Sequence, residues 1–333
     1  MNGKLLMKSV LYLSAVVLLF SGCRGSSEPA TGVPSLDSQS VAVARTAEQN
    51  SSWMLPEAKS SDLLYASDSA GTSVYVFTYP KGKLVGTLRG FDGPLGECVD
   101  TSGNIWIVNS FPADLVKYAH GGTTPIATLD DSGANPQACS VNPVTGDVAV
   151  TNPFPGNVAI FWGAQGSPTT YTDADLTHYV YPAYDSVGNL FIDGASSSTG
   201  LLAELASGSD YLSTITINVS MAPGSMQWES PYLVVANLAG GIKGAQEIDR
   251  LQVSGSVAQR VGTTKLKSPF KRKLTTAVQF WVEGSMIVGP SRQSKRSALF
   301  VDFWRYPAGG RPAKQLEPPS AQDIWGVVVS AHS

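Results

Sequence analysis

Short runs of apolar, often β-branched residues alternate with polar turns along most of the chain. The pattern is clearest over residues 93–110 (GPLGECVDTSGNIWIVNS), which predict a strand, a tight turn at residues 100–104 and a second strand at residues 105–108. The turn contains Asp, Ser, Gly and Asn, which suit the backbone angles of a hairpin. Since one hairpin is only marginally stable in water, the pattern predicts further strands packed beside it.

Similar second strands recur along the chain. They are predicted at residues 63–67, 105–108, 148–151, 190–192, 232–236 and 286–288. The first five begin about 42 residues apart, and the sixth begins about ten residues later than this spacing predicts; repeats of this length carry four strands and form β-propeller blades. We therefore predict an all-β fold, a six-bladed β-propeller with four-stranded blades.

The order of the strands predicts how the propeller is completed. The repeats start at a second strand, residues 63–67, and end at a first strand, residues 324–329. The last strand is therefore expected to join the first blade and close the ring with strands from both termini. An open array would expose the apolar faces of both end blades.

The N-terminal residues predict export and a lipid anchor. Residues 1–22 have the charge and apolar run of a signal peptide, and the run ends in Leu19-Phe20-Ser21-Gly22-Cys23, which is similar to a bacterial lipobox. Lipidated Cys23 and residues up to 60, rich in Ser, Ala, Gly and Pro, would form a flexible tether, followed by the propeller domain at residues 61–330. The alternative is an ordinary secretory signal in which Cys23 is incidental. The expected location is the bacterial cell envelope, lipid-anchored, at the outer membrane or the periplasmic side.

Composition changes this picture little. The chain of 333 residues has a net charge of −3 and only 15% charged residues, so nothing favours binding to nucleic acid. We expect a monomer. Export permits a disulfide between Cys98 and Cys139. Aligning Pro94 with Pro136 places the two cysteines one residue out of register, on opposite strand faces, which favours two buried thiols and leaves a bridge as the alternative.

Residues of the best-preserved repeat resemble a known family. They are Pro94, Gly96, Asp100, Gly103, Asn104, Ile105 and Ile107. The pattern looks like the NHL-repeat and SMP-30 (gluconolactonase)-like propellers. That resemblance implies a propeller, and it admits a metal-dependent lactonase or hydrolase that holds Ca²⁺ or another divalent ion at the mouth of the central channel. The family's N-terminal Glu motif has no counterpart near residues 63–68, so no acid here is assigned as a metal ligand.

Polar residues end several second strands and recur around the predicted ring. With one histidine from a loop between blades, they form a predicted ligand face: Asp68, Asn109, Asn152, His178, Asp193 and Asn237. The alternative is that the Asx residues cap the turns that follow them. Because they recur in most blades, a specific site is expected instead where a blade departs from the repeat.

The lengthened interval before the sixth blade contains the main basic concentration of the chain. Its residues are Lys265, Lys267, Lys271, Arg272 and Lys273. This basic loop would contact anionic lipid or an acidic partner, or it is simply solvated. No sequence motif for nucleophilic or zinc-dependent catalysis is present. The leading hypothesis is therefore a non-enzymatic binding or scaffolding module without a cofactor, which takes a protein or glycan ligand on one propeller face.

Overall fold

A computed structural model shows an all-β fold. It describes residues 51–196, 199–237, 245–268, 279–292 and 298–332. In chain order the strands are β1 Trp53–Met54, β2 Leu63–Asp68, β3 Ser73–Thr78, β4 Leu84–Arg89, β5 Pro94–Val99, β6 Ile105–Asn109, β7 Asp114–Tyr118, β8 Pro125–Asp130, β9 Ala138–Val141, β10 Val148–Asn152, β11 Asn157–Phe161, β12 Thr169–Tyr171, β13 His178–Tyr184, β14 Leu190–Ser196, β15 Thr199–Leu205, β16 Ser213–Ile217, β17 Met226–Glu229, β18 Tyr232–Asn237, β19 Ala245–Ser254, β20 Val257–Lys267, β21 Trp281–Glu283, β22 Met286–Arg292, β23 Ala298–Arg305, β24 Gly309–Leu316 and β25 Ile324–Ser330. Two short 3-10 helices span Pro56–Ser60 and Trp162–Ala164.

The strands form antiparallel blades of four, as the repeat predicts. Strands β5–β8, β9–β12, β13–β16, β17–β20 and β21–β24 make five blades, numbered two to six in chain order. In the first blade, β25 pairs with β2, so Leu63 lies opposite Ser330. The strand predicted to complete this blade is therefore the one that does so. A fifth strand, β1, covers the outer edge of the first blade by pairing with β4.

Apolar side chains fill the spaces between neighbouring blades. Alternation along each strand divides them: Ile105 and Ile107 pack toward the first blade, whereas Trp106 packs toward the third. Another apolar cluster joins the sixth blade to the first through residues such as Phe303 and Val327. Each blade is thus buried on both faces, which explains why second strands such as β6 and β10 are buried throughout.

Cys98 and Cys139 form a disulfide, so the preference for two free thiols was wrong. Their Cα atoms lie 5.6 Å apart. Cys98 lies opposite Trp106, and Cys139 lies opposite Val150. The one-residue offset was correct, but the conclusion that it keeps the two cysteines apart was not. In a propeller the front of one blade packs against the back of the next, so residues on opposite faces of equivalent strands are the ones that meet.

Candidate functional site

A cavity of about 350 Å³ lies among the innermost strands of five blades. Its walls come from β5, β9, β13, β17 and β21, together with Gln279 just before β21 and with Pro143, Asp185 and Ser186 from turns that link first to second strands. It therefore lies toward the end of the channel where the first strands run out. Its volume is within the range of about 300–1,000 Å³ that is typical of small-molecule pockets.

Glutamine side chains hold the innermost strands together beside this cavity. The Gln279 side chain accepts a hydrogen bond from the Glu97 backbone N–H (2.9 Å) and donates one to the Glu97 carbonyl (2.6 Å). Gln227 bonds the backbone of Val282 in the same way, at 2.6 and 3.0 Å. Gly326 permits the first of these bridges, because a Cβ atom there would lie 2.8 Å from Gln279 Oε1.

Glu97 is the exceptional residue of the cavity wall. It is fully buried, and neither carboxyl oxygen has a hydrogen-bond partner within the part of the chain that the structure describes. Burial raises the pKa of the Glu97 carboxyl well above its ordinary value. Buried carboxyl groups are normally paired or hydrogen-bonded, so an unpartnered one indicates a missing partner or a functional role.

Asp185, the other acidic residue of the lining, forms hydrogen bonds within its own turn. Its carboxylate accepts hydrogen bonds from the backbone of Val187 (2.9 Å) and Asn189 (2.8 Å), and from Asn189 Nδ2 (2.8 Å). Asp185 therefore stabilises the hairpin of the fourth blade, as Asp100 does in the second. Among the lining residues that the structure describes, Glu97 is the one whose carboxyl group forms no such hydrogen bonds.

Aromatic side chains supply much of the remaining surface. Trp228 and Trp281 are partly buried, and Tyr181 and Tyr184 are buried. Trp228 stacks on Phe191 with ring centroids 6.1 Å apart, and its buried Nε1 has no partner among the described groups. The Trp281 indole donates to Glu283 Oε2 at 3.3 Å. Aromatic side chains therefore form much of the cavity wall.

The predicted ligand-face residues have a different environment, and the cavity lining includes none of the six. Three of the Asx residues anchor the loop that precedes an innermost strand. The Asn109 side chain accepts from Asp92 N (2.7 Å), Asp193 from Gly224 N (2.7 Å), and Asn237 from Ala222 N (3.2 Å). These bonds support a structural role for those residues rather than ligand binding. They differ from the predicted turn caps, because each side chain holds a loop that is more distant in the chain than the turn that follows it.

Asp68 is a fourth such anchor, for the loop before β25, whereas Asn152 and His178 have partners close by in the chain. Asp68 accepts from Gly71 N (3.1 Å), Gln322 N (2.9 Å) and Asp323 N (2.7 Å). Asn152 donates from Nδ2 to Asn157 Oδ1 at 2.9 Å. His178 is exposed at the start of β13, with Nδ1 3.1 Å from Thr177 Oγ1. Ligand binding by this face stays a prediction.

The basic loop is only partly within the described residues. Lys265 and Lys267 are exposed on β20, and Lys265 Nζ lies 3.0 Å from Glu247 Oε1. Lys271, Arg272 and Lys273 lie outside the described residues, as does Cys23. Among the residues that are described, no group of three or more His, Cys, Asp or Glu is arranged to hold a metal ion. The same residues include no helix long and apolar enough to cross a membrane.

Sequence reasoning did not single out most of the cavity residues. The predicted site residues do not include Glu97, Gln227, Trp228, Gln279 or Trp281. Their signal is a Gln followed closely by a Trp, on the innermost strand of the fifth blade and at the start of that of the sixth, which are the most degenerate copies of the repeat.

Comparison with known proteins shows the fold alone. No family model and no curated protein matches the sequence. The structure is similar to a chain in the crystal structure of a nidogen/laminin complex, with a TM-score of 0.65 and 10% sequence identity. The match covers 82% of this chain and 99% of that chain. The protein is therefore a β-propeller, and its function has to be argued from its own residues.

Proposed function

We propose that this protein is a non-enzymatic binding module of the bacterial cell envelope that takes its ligand in the central cavity. One observation carries the proposal: the innermost strands of five blades converge on a cavity of about 350 Å³ that is lined largely by apolar and aromatic side chains. The resemblance to NHL-repeat and SMP-30-like propellers supports the architecture and leaves the activity open, because propellers carry unrelated functions.

Calorimetric titration of the full chain in detergent, with a panel of small cationic, neutral and anionic compounds, tests the proposal. We expect saturable binding of at least one compound, which is recovered chemically unchanged. Ser186→Phe places a bulky ring at the cavity rim and should weaken that binding about tenfold or more. Thr101→Phe is the matched control, because Thr101 occupies the equivalent turn position in the second blade and does not line the cavity.

The competing function is a metal-dependent lactonase or hydrolase. It would require a tightly held divalent ion and a carboxylate base beside it. Lactone hydrolysis that is lost on chelation and restored by Ca²⁺ or Zn²⁺ would overturn the binding proposal. The binding proposal would also be overturned if no compound of the panel bound saturably.

We also propose that lipidated Cys23 anchors the protein at the envelope. The support is the signal-peptide pattern that ends in small residues before this cysteine. Cys23→Ala should move the protein from the membrane fraction to the soluble periplasmic fraction. Unchanged membrane partition of the variant would refute the anchor.

A further inference from the structure

We propose that the central cavity binds an uncharged aromatic ring compound, which packs against the indole rings of Trp228 and Trp281. This inference rests on the proposed binding function and specifies the class of ligand. Both indoles line the cavity and are only partly buried, so part of each ring is open to a ligand. A flat apolar ring gains free energy by leaving water against such surfaces, and more where the rings stack.

Contacts with neighbouring side chains hold the two indoles in place. The Trp228 ring stacks on Phe191, with centroids 6.1 Å apart and an angle of 11° between the ring planes. The Trp281 Nε1–H donates a hydrogen bond to Glu283 Oε2 at 3.3 Å. A ligand therefore meets rings that are already oriented, and little side-chain entropy is lost when it binds.

The rest of the wall is mainly apolar and contains sulfur. Met226 lines the cavity, as do Val99, Val141 and both cysteines of the Cys98–Cys139 disulfide. Thioether sulfur makes favourable contacts with the edges of aromatic rings. An aromatic compound therefore suits this wall better than a saturated compound of the same size.

Among the described lining residues, no charged group is free to pair with an ionic ligand. None of them is Lys, Arg or His. Glu97 lies opposite Ile107, whose side chain packs toward the first blade, and both Glu97 carboxyl oxygens are buried. The Asp185 carboxylate accepts three hydrogen bonds within its own turn. A charged ligand would therefore lose hydration in the cavity without gaining a counter-charge, which is costly.

The hydrogen bonds within the wall disfavour a sugar. The amide groups of Gln227 and Gln279 bond the backbone of neighbouring strands. Ser140 Oγ accepts a hydrogen bond from Tyr184 N at 3.1 Å. A sugar carries hydroxyl groups around its ring, and each one that is buried needs a polar partner in place of water. Aromatic walls whose polar groups already bond the protein suit a ring with few polar atoms.

The test is calorimetry on the full chain in detergent with probes that share one ring system. The probes are 2-naphthylmethanol, 2-naphthylmethylammonium and 2-naphthoate, and methyl glucoside represents the sugars. We expect the naphthyl alcohol to bind about tenfold or more tightly than either ion or the sugar, because these would be buried without partners. Titrations into the same detergent without protein correct for partition of the probes into micelles.

A substitution in the wall tests the contact with the indoles. Trp281→Leu removes the flat ring and keeps an apolar side chain, so it should weaken binding of the alcohol about fivefold or more. Trp162→Leu is the matched control, because Trp162 is an exposed indole outside the lining. It should leave the affinity unchanged.

The outcomes separate this inference from the proposed function. Equal or tighter binding of an ion or of methyl glucoside, or an unchanged affinity for the alcohol in Trp281→Leu, would overturn the aromatic-ligand inference while the cavity remains a binding site. If neither these probes nor any compound of the wider panel binds, both proposals fail. Thermal melts establish that each variant is folded before it is titrated. The comparison among the probes uses the wild type, so it decides the matter even if Trp281→Leu does not fold.

Discussion

Asp68 and Glu97 are both acidic residues with no exposed surface, yet their carboxyl oxygens have opposite environments. Asp68 accepts three backbone N–H groups and ties β2 to the loop before β25. Glu97 accepts none from the described residues. Asp68 belongs to a recurring set of polar residues at second-strand ends, whereas Glu97 lies on an innermost strand and departs from the repeat. The comparison indicates that the recurring buried polar groups stabilise the architecture, whereas the burial of Glu97 is not compensated by a hydrogen bond from the described residues.

The innermost strand that carries Glu97 is also cross-linked through the adjacent Cys98. Removal of this disulfide should lower the free energy of unfolding more than any of the single substitutions below. The bridge joins residues 41 positions apart. By loop-closure entropy its loss should lower the free energy of unfolding by about 4 kcal/mol. Urea denaturation of the Cys98→Ala/Cys139→Ala double variant measures this. An unchanged urea midpoint would show that the innermost strands remain stable around the buried Glu97 without the disulfide.

Asp68→Ala should be the next most damaging change. It leaves three backbone N–H groups without their acceptor and should cost about 3 kcal/mol of unfolding free energy. The exposed Asp130, which accepts Ser132 N at 2.9 Å, is the control. Asp130→Ala should cost less than about 0.5 kcal/mol. Similar urea midpoints for the two variants would contradict a structural role for the second-strand ends.

Asp193 accepts backbone N–H groups, as Asp68 does, and its pKa is raised by burial, as that of Glu97 is. Its titration should therefore appear in the pH dependence of stability. Burial raises the pKa of its carboxyl to about 8, although hydrogen bonds from Gly224 and Tyr181 oppose the shift. The folded-state pKa lies above the unfolded value near 3.8, so the protonated form is favoured by folding. Stability is therefore greatest below about pH 4 with respect to this group, and falls as the pH rises toward 8.

The wild type should consequently lose about 3.5 kcal/mol more than Asp193→Asn between pH 5 and pH 8. Urea denaturation of both proteins at the two pH values measures the difference. Asp131 and Asp302, whose pKa values burial raises to about 6, contribute equally in both proteins. Parallel pH profiles would show that the backbone bonds of Asp193 outweigh its burial.

Glu97→Gln should have the smallest effect on stability, and it should be favourable. An amide costs less to bury without a partner than a carboxylate, so a gain of about 1 kcal/mol is expected at pH 8. Urea denaturation of this variant beside Asp68→Ala makes the comparison direct. A loss as large as that of Asp68→Ala would place Glu97 among the residues that stabilise the fold.

Local patterns explain why the fold was predictable. The turn at residues 100–104 depends on the Asp100 side chain accepting Ser102 N and Asn104 N, groups only two and four residues away. Asp185 repeats this arrangement with Val187 and Asn189. Such contacts lie within one hairpin, so the residue types reveal them. The spacing of hairpins then predicted the blades, and the strand order predicted that β25 joins β2.

The sequence by itself thus determined the propeller, its repeat and the strand that completes the first blade, because these follow from hairpin chemistry and alternation within short segments. Only the tertiary structure decided the Cys98–Cys139 bridge, the loop-anchoring role of residues such as Asn109, and the cavity around Glu97. Each of these depends on contacts between blades. Whether a buried polar group finds a partner is settled by residues brought near it from distant parts of the chain, as Gln279 is brought to the backbone of Glu97.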